Sequence, residues 1–186
     1  MITQQEVFDV LNKDINQKQL DTLSDIHVKT KHYLLIAEEL SLEGVAFLQP
    51  LKEHRDAYDH LMRIFALHRR EELPKNFKID FYITDNLKKA YGHAYRAFFD
   101  TADWLTFICR RYIRSSLSNL KIRKKYEDAG HSFSEAKKLI NEVPWQIAQY
   151  RENKDISDDK KAIKEVEQYT ETLDHLLQIY KDICSL

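Results

Sequence analysis

The sequence predicts an all-α protein, an antiparallel bundle of about six helices in a single domain. Three observations carry this reading. The chain has 186 residues but only three Gly and three Pro, so it holds few turn signals. Apolar residues recur at intervals of three and four almost everywhere, the period of an amphipathic helix. Capping-box spacings and polar breaks punctuate that pattern.

The elements follow in order. Thr3-Gln4-Gln5-Glu6 has capping-box spacing, so a short helix should start there and run to about Lys13, with a turn at Asn16. Leu20, Leu23, Ile26, Leu34 and Ala37 mark a long second helix ending near Leu40, and Ser41 to Gly44 reads as a break. Pro50 suits the first turn of a third helix, where its missing N–H costs little, and that helix should continue to about Arg70. Residues 71–83 are the least regular. Their alternating segment, Phe77 to Ile83, lacks a partner strand and is taken as a connector or an early helical turn.

A very long helix should begin near Thr84 or Asp85 and reach about Lys125, with a kink around Ser115, Ser116 and Ser118. Gly130 ends it. Ser132-Phe133-Ser134-Glu135 repeats the capping-box spacing and opens another helix, which Pro144 should interrupt. Asn153 to Asp155 reads as a turn, and Ser157, Asp158 and Asp159 as helix-start residues. Ile163, Val166, Thr170, Leu173, Leu177, Tyr180 and Cys184 then keep a spacing of three to four residues, a bundle seam or short coiled coil.

Composition narrows the function classes. A net charge of −1 excludes a globally basic nucleic-acid binder, though not a local basic patch. Cys109 and Cys184 show no zinc or redox spacing and fit a reducing cytosol. Neither a signal peptide nor an apolar run long enough to span a membrane is apparent, so a cytoplasmic protein is expected.

Chemistry concentrates in Glu53 to Arg70, which holds three His, four Arg and three acidic residues. Ala57, Leu61, Ile64 and Phe65 form its apolar stripe, which His68 extends. Asp56, His60 and Arg63 lie on another face at i, i+4, i+7. Histidine can shuttle protons near neutral pH and arginine can clamp a phosphate, so Arg55, Asp56, His60 and Arg63 are the candidate catalytic set. The plain alternative is that these residues form surface ion pairs along one helix. His68, His93, Arg96 and Asp100 form a candidate supporting polar network. Ala90, Ala94 and Ala97 offer a small-residue seam beside it.

Arg55-Asp56-Ala57-Tyr58-Asp59-His60 resembles the R-x4–6-H motif of HEPN domains, and Arg63 to His68 repeats the spacing. The stretch AYRAFFDTADWL is similar in character to the small-and-aromatic helices of that group. The resemblance implies an all-helical bundle, often dimeric. In catalytic members it implies a metal-independent ribonuclease, with Arg and His acting on the phosphodiester and the 2′-hydroxyl. Five residues along a straight helix turn through about 140°, so Arg55 and His60 would converge only across a dimer seam or beside a helix irregularity.

Arg110, Arg111, Arg114, Lys121, Arg123, Lys124 and Lys125 follow one another without an intervening acid, beside Tyr112 and Tyr126. Such a run is an electrostatic footprint for a phosphate backbone, or else a solvated helix end. No paired Glu-x-x-His motif and no phosphate-binding loop is present, and neither metal nor cofactor is expected. The expected partners are RNA or another nucleic acid and a second copy of the chain, without a membrane. The competing reading is a non-catalytic helical interaction module with a structural polar stripe.

Overall fold

The computed structural model describes residues 2–41, 47–152 and 159–186. Among them it is an all-α helical bundle without a strand. Seven α-helices follow one another: α1 (Gln4–Leu11), α2 (Asp14–Leu40), α3 (Leu48–Phe65), α4 (Ile79–Ser118), α5 (Leu120–Asp128), α6 (Phe133–Glu152) and α7 (Asp159–Cys184). A 3-10 turn, Leu67–Arg69, follows α3. Two compact units divide the chain. One comprises Met1–His32 and Phe47–Asp100, the other Tyr33–Ala46 and Thr101–Leu186.

In the first unit α1 starts where the sequence places it, through a capping box. The Thr3 hydroxyl accepts from the Glu6 amide, and the Glu6 carboxylate accepts from the Thr3 amide. The turn falls at Asn12 and Lys13, not at Asn16. Asn16 is already inside α2, buried, and its side-chain amide donates to the Val10 carbonyl at 2.7 Å. A buried amide with a carbonyl partner holds the α1–α2 corner closed. Val7, Val10 and Leu11 of α1 pack with Ile64, Leu67, Ile83 and Leu87 to form the core of this unit.

The third helix is shorter than its apolar pattern implies. It stops at Phe65, and the 3-10 turn brings Leu67 into the core. Two expectations are thereby corrected: Phe65 is exposed, and His68 is a half-buried residue of the turn, not part of an apolar helical stripe. Its Nδ1 lies 2.8 Å from the Phe65 carbonyl oxygen. The ambiguous segment before α4 resolves as helix from Ile79 onward, five residues ahead of Thr84.

In the second unit α4 ends at Ser118, inside the serine-rich stretch flagged as the kink. The Ser118 hydroxyl donates back to the Ser115 carbonyl at 2.6 Å. Asn119 leaves helical conformation and caps α5, its side-chain oxygen accepting from the amides of Lys121 and Ile122. The helix α5 closes in a Schellman motif: the His131 amide donates to Tyr126 and the Gly130 amide to Glu127. Gly130 takes a φ of 90°, the left-handed region that glycine occupies without steric cost. Ser132 then caps α6 by accepting from Glu135. That helix runs through Pro144 to Glu152, so the expected interruption is absent. The expected break reaching Gly44 and turn over Asn153 to Asp155, like Ser157 and Asp158, lie outside the described residues.

The small-residue seam and the middle of the α7 seam are buried, while Cys184 at the end of the latter is exposed. Ala90, Ala94 and Ala97 are buried, as are Val166, Leu173 and Leu177 of α7. In the second unit α7 packs on α5 and α6. Tyr180 lies against Tyr112 with ring centroids 4.3 Å apart, and the Tyr33 hydroxyl donates to Asp174 at 2.8 Å.

Candidate functional site

The first unit gathers a polar cluster between α3 and α4. From α3 come Glu53, Asp56 and His60, successive turns of one face. From α4 come Asn86, His93 and Arg96. The imidazoles of His60 and His93 stack, with centroids 5.4 Å apart and ring planes 22° from parallel. Each is anchored through Nδ1. His60 Nδ1 lies 2.9 Å from Asn86 Oδ1, and Asn86 is buried and fixed by donating its Nδ2 to the Tyr82 carbonyl at 2.8 Å. His93 Nδ1 lies 2.8 Å from Glu53 Oε2, and the same oxygen accepts from Arg96 Nε at 2.8 Å.

Glu53 Oε2 therefore joins two helices through two donors. Its side chain is only 12% exposed. Burial alone would raise its pKa. The hydrogen bonds from His93 and Arg96, and their charges, outweigh that and hold the carboxyl below its ordinary value. Arg96 Nη2 lies 2.7 Å from His93 Nδ1. That nitrogen has one proton or one lone pair, and the Glu53 carboxylate offers only an acceptor. Arg96 Nη2 offers only a donor, so Nδ1 satisfies one of these two neighbours and not both; with Nδ1–H donating to Glu53, the lone pair of His93 sits on Nε2. The same argument applies at His60, whose Nδ1 faces an amide oxygen. Neither Nε2 has a hydrogen-bond partner among the described residues.

Asp56 links the arginine of the motif to this pair. Arg55 donates to Asp56 Oδ1 through Nε at 3.0 Å and Nη2 at 2.7 Å. That bond does most to lower the Asp56 pKa, against a small opposing effect of burial. The charges of Arg55, His93 and His60 lower it further. Arg63 is not part of the group. It pairs along the helix with Asp59 at 2.6 Å, both half exposed, as the surface ion-pair reading expects. His68 sits apart on its 3-10 turn, and Asp100 follows Arg96 by one turn of α4.

Sequence reasoning passed over Glu53 and Asn86. Glu53 lies seven residues before His60 and therefore on its face, which was a readable signal. Asn86 carried none, because its role depends on which turn of α4 meets α3. A second histidine pair, His27 and His54, meets edge to face at 5.1 Å. Burial, then the His27 charge, lowers the pKa of His54.

The basic run lies in the second unit and divides. Arg110 is half buried, donates to the Thr106 carbonyl at 3.3 Å, and is pulled down in pKa chiefly by burial. Arg123 covers the Phe133 ring at 4.8 Å, and Lys125 donates to the Leu186 carbonyl at 3.2 Å. Arg111, Arg114, Lys121 and Lys124 are exposed and have no partner among the described residues.

The second unit also holds a cavity of about 430 Å³ bounded by Tyr126, His131, Glu135, His175 and Asp182, among others. His131 stacks on Tyr126 at 4.7 Å, with its Nδ1 3.6 Å from Asp182. Its lining comes from three helices at unrelated spacings, so nothing in the sequence marked it. Among the described residues no three His, Cys, Asp or Glu side chains are placed to hold a metal ion, and no helix is long and apolar enough to cross a membrane. Comparison with protein-family models, curated proteins and solved structures finds no match to this chain.

Proposed function

We propose that this chain is a HEPN-like RNA-processing protein of the cytoplasm, a metal-independent ribonuclease whose acid–base pair is His60 and His93. One observation carries the reading. Two adjacent imidazoles are each held through Nδ1, by Asn86 and by Glu53, and neither Nε2 has a hydrogen-bond partner among the described residues. That arrangement suits cleavage by the neighbouring 2′-hydroxyl. One Nε2 takes the hydroxyl proton as the oxygen attacks phosphorus. The other, protonated, delivers a proton to the departing 5′-oxygen. The products are a 2′,3′-cyclic phosphate and a 5′-hydroxyl. Arg55 is held by Asp56 on the outer side of α3 and is left out of this chemistry. Within the basic run Arg111, Arg114, Lys121 and Lys124, exposed and without a partner among the described residues, are the cations to bind an RNA backbone. The free thiols of Cys109 and Cys184 fit a reducing compartment.

Histidine-to-asparagine variants test this reading. Asn keeps a donor near the Nδ1 position and removes Nε2. With single-stranded RNA at low salt and excess chelator, the wild type should cut and leave cyclic phosphate ends. His60→Asn and His93→Asn should each lose at least about 100-fold in rate while retaining RNA affinity. An inert wild type, or cutting that survives both substitutions, would overturn the proposal. A second reading, a non-catalytic interaction module, is favoured by the exposed apolar residues along α3. It would be left standing by a folded protein that neither binds nor cuts RNA.

A further inference from the structure

The outer face of α3 is apolar and solvent-exposed. Leu48, Leu51, Tyr58, Met62 and Phe65 are 62, 41, 61, 37 and 42% exposed. The Arg55 side chain, 73% exposed, lies between them. These six positions follow one another at intervals of three, four, three, four and three residues. That is the a/d repeat of a coiled-coil seam, sustained along the whole helix. Scattered exposed apolar residues are ordinary on a protein surface, whereas a continuous stripe of them at seam spacing marks an interface.

The chemistry of the seam selects its occupant. Reversed and laid on itself, it matches: Leu48 meets the second copy's Phe65, Leu51 meets its Met62, and Arg55 meets its Tyr58. All three pairs then recur by two-fold symmetry. Each guanidinium gains an aromatic face in place of water. Lys52 and Asp59 occupy the flanking e positions, so Lys52 of either copy lies beside Asp59 of the other. The parallel arrangement is disfavoured because it sets Arg55 against Arg55 in the middle of the seam.

We propose that the outer face of α3 is the homodimer interface of this protein, an antiparallel and isologous helix pair centred between Arg55 and Tyr58. Ala90, Ala94 and Ala97, and Val166, Leu173 and Leu177 of α7, are buried within one chain, whereas the α3 stripe is exposed along its length. The interface does not depend on the ribonuclease reading. In this dimer His60 stays turned toward Asn86, about 140° around the helix from Arg55.

Sedimentation equilibrium of the full chain, followed over about 1–100 µM, tests the proposal. The wild type should reach twice its 22.2 kDa mass. Leu51→Glu and Met62→Glu change exposed residues, so both variants should keep their helical circular dichroism. Each should weaken self-association at least about 30-fold. Lys52→Glu and Asp59→Lys should each weaken it about 5- to 10-fold by opposing like charges. An equimolar mixture of those two variants should recover wild-type affinity, because only the mixed pair restores both opposite-charge contacts. A wild type that stays monomeric throughout, a dimer untouched by Leu51→Glu and Met62→Glu, or charge variants that fail to rescue each other would overturn it.

Discussion

At the scale of single residues, Glu53 is the side chain on which the α3–α4 cluster turns. It is nearly buried, accepts from His93 and Arg96, and is held in its ionised form. Glu53→Gln removes the charge and leaves an amide where two donors converge, which should cost about 1–3 kcal/mol of stability. The pH dependence has a definite sign. A carboxyl whose folded pKa lies below its unfolded value contributes stability that is fully present above the unfolded value. That stability is lost as pH falls through the folded pKa. Wild-type stability should therefore decline below about pH 4.5, the ordinary value for glutamate, and the Glu53→Gln variant should decline less there. Chemical denaturation at a series of pH values reads both effects. Arg55, Asp56 and His60 stood out in the sequence because titratable types cluster there. Their outward or inward direction did not, since it depends on where α4 runs.

At the scale of elements, boundaries were legible where side-chain chemistry sets them. Thr3 with Glu6 and Ser132 with Glu135 mark real helix starts, and the serines that read as a kink in one helix to Lys125 are where α4 ends and α5 begins anew. Boundaries set by packing were not. The pattern of Ile64, Phe65 and His68 reads as continuing helix, yet the chain tightens into a 3-10 turn that puts Leu67 in the core. Pro144 reads as a break, but a helix can carry one missing amide donor when its flanks pack, as Ile140 and Val143 do. The short helix α5 rests on its two ends. Asn119→Ala should destabilise by about 1 kcal/mol through loss of the cap. Gly130→Ala should cost about 1–2 kcal/mol, arising from the backbone alone, because a β-carbon there meets nothing within 4 Å. Thermal unfolding followed at 222 nm measures both, and an unchanged midpoint for Gly130→Ala would contradict the strain argument.

At the scale of the whole molecule, the all-α class was legible because hydrophobic period and scarce turn residues both report on helices directly. Which apolar faces meet was not, because periodicity says that a face is sticky without naming its partner. Thus Ala90, Ala94 and Ala97 are buried within the chain, while the stripe from Leu48 to Phe65 is exposed. The same holds for charge. Seven cations in a row read as one patch, but only Arg111, Arg114, Lys121 and Lys124 are left without partners among the described residues. Replacing those four by Ala should flatten the dependence of RNA affinity on salt, lowering the log–log slope by about 3. Filter binding from low to moderate salt measures it, and an unchanged slope would remove these residues from the interface. In the proposed chemistry His60 and His93 act as an acid–base pair on RNA. The most direct test is the pH–rate profile of RNA cleavage in chelator, for the wild type and for His93→Asn. Two imidazoles in opposite protonation states predict a bell for the wild type, and a far slower reaction lacking one limb for the variant. A wild-type rate that does not vary with pH through the imidazole range, or a variant that keeps the full bell, would contradict it.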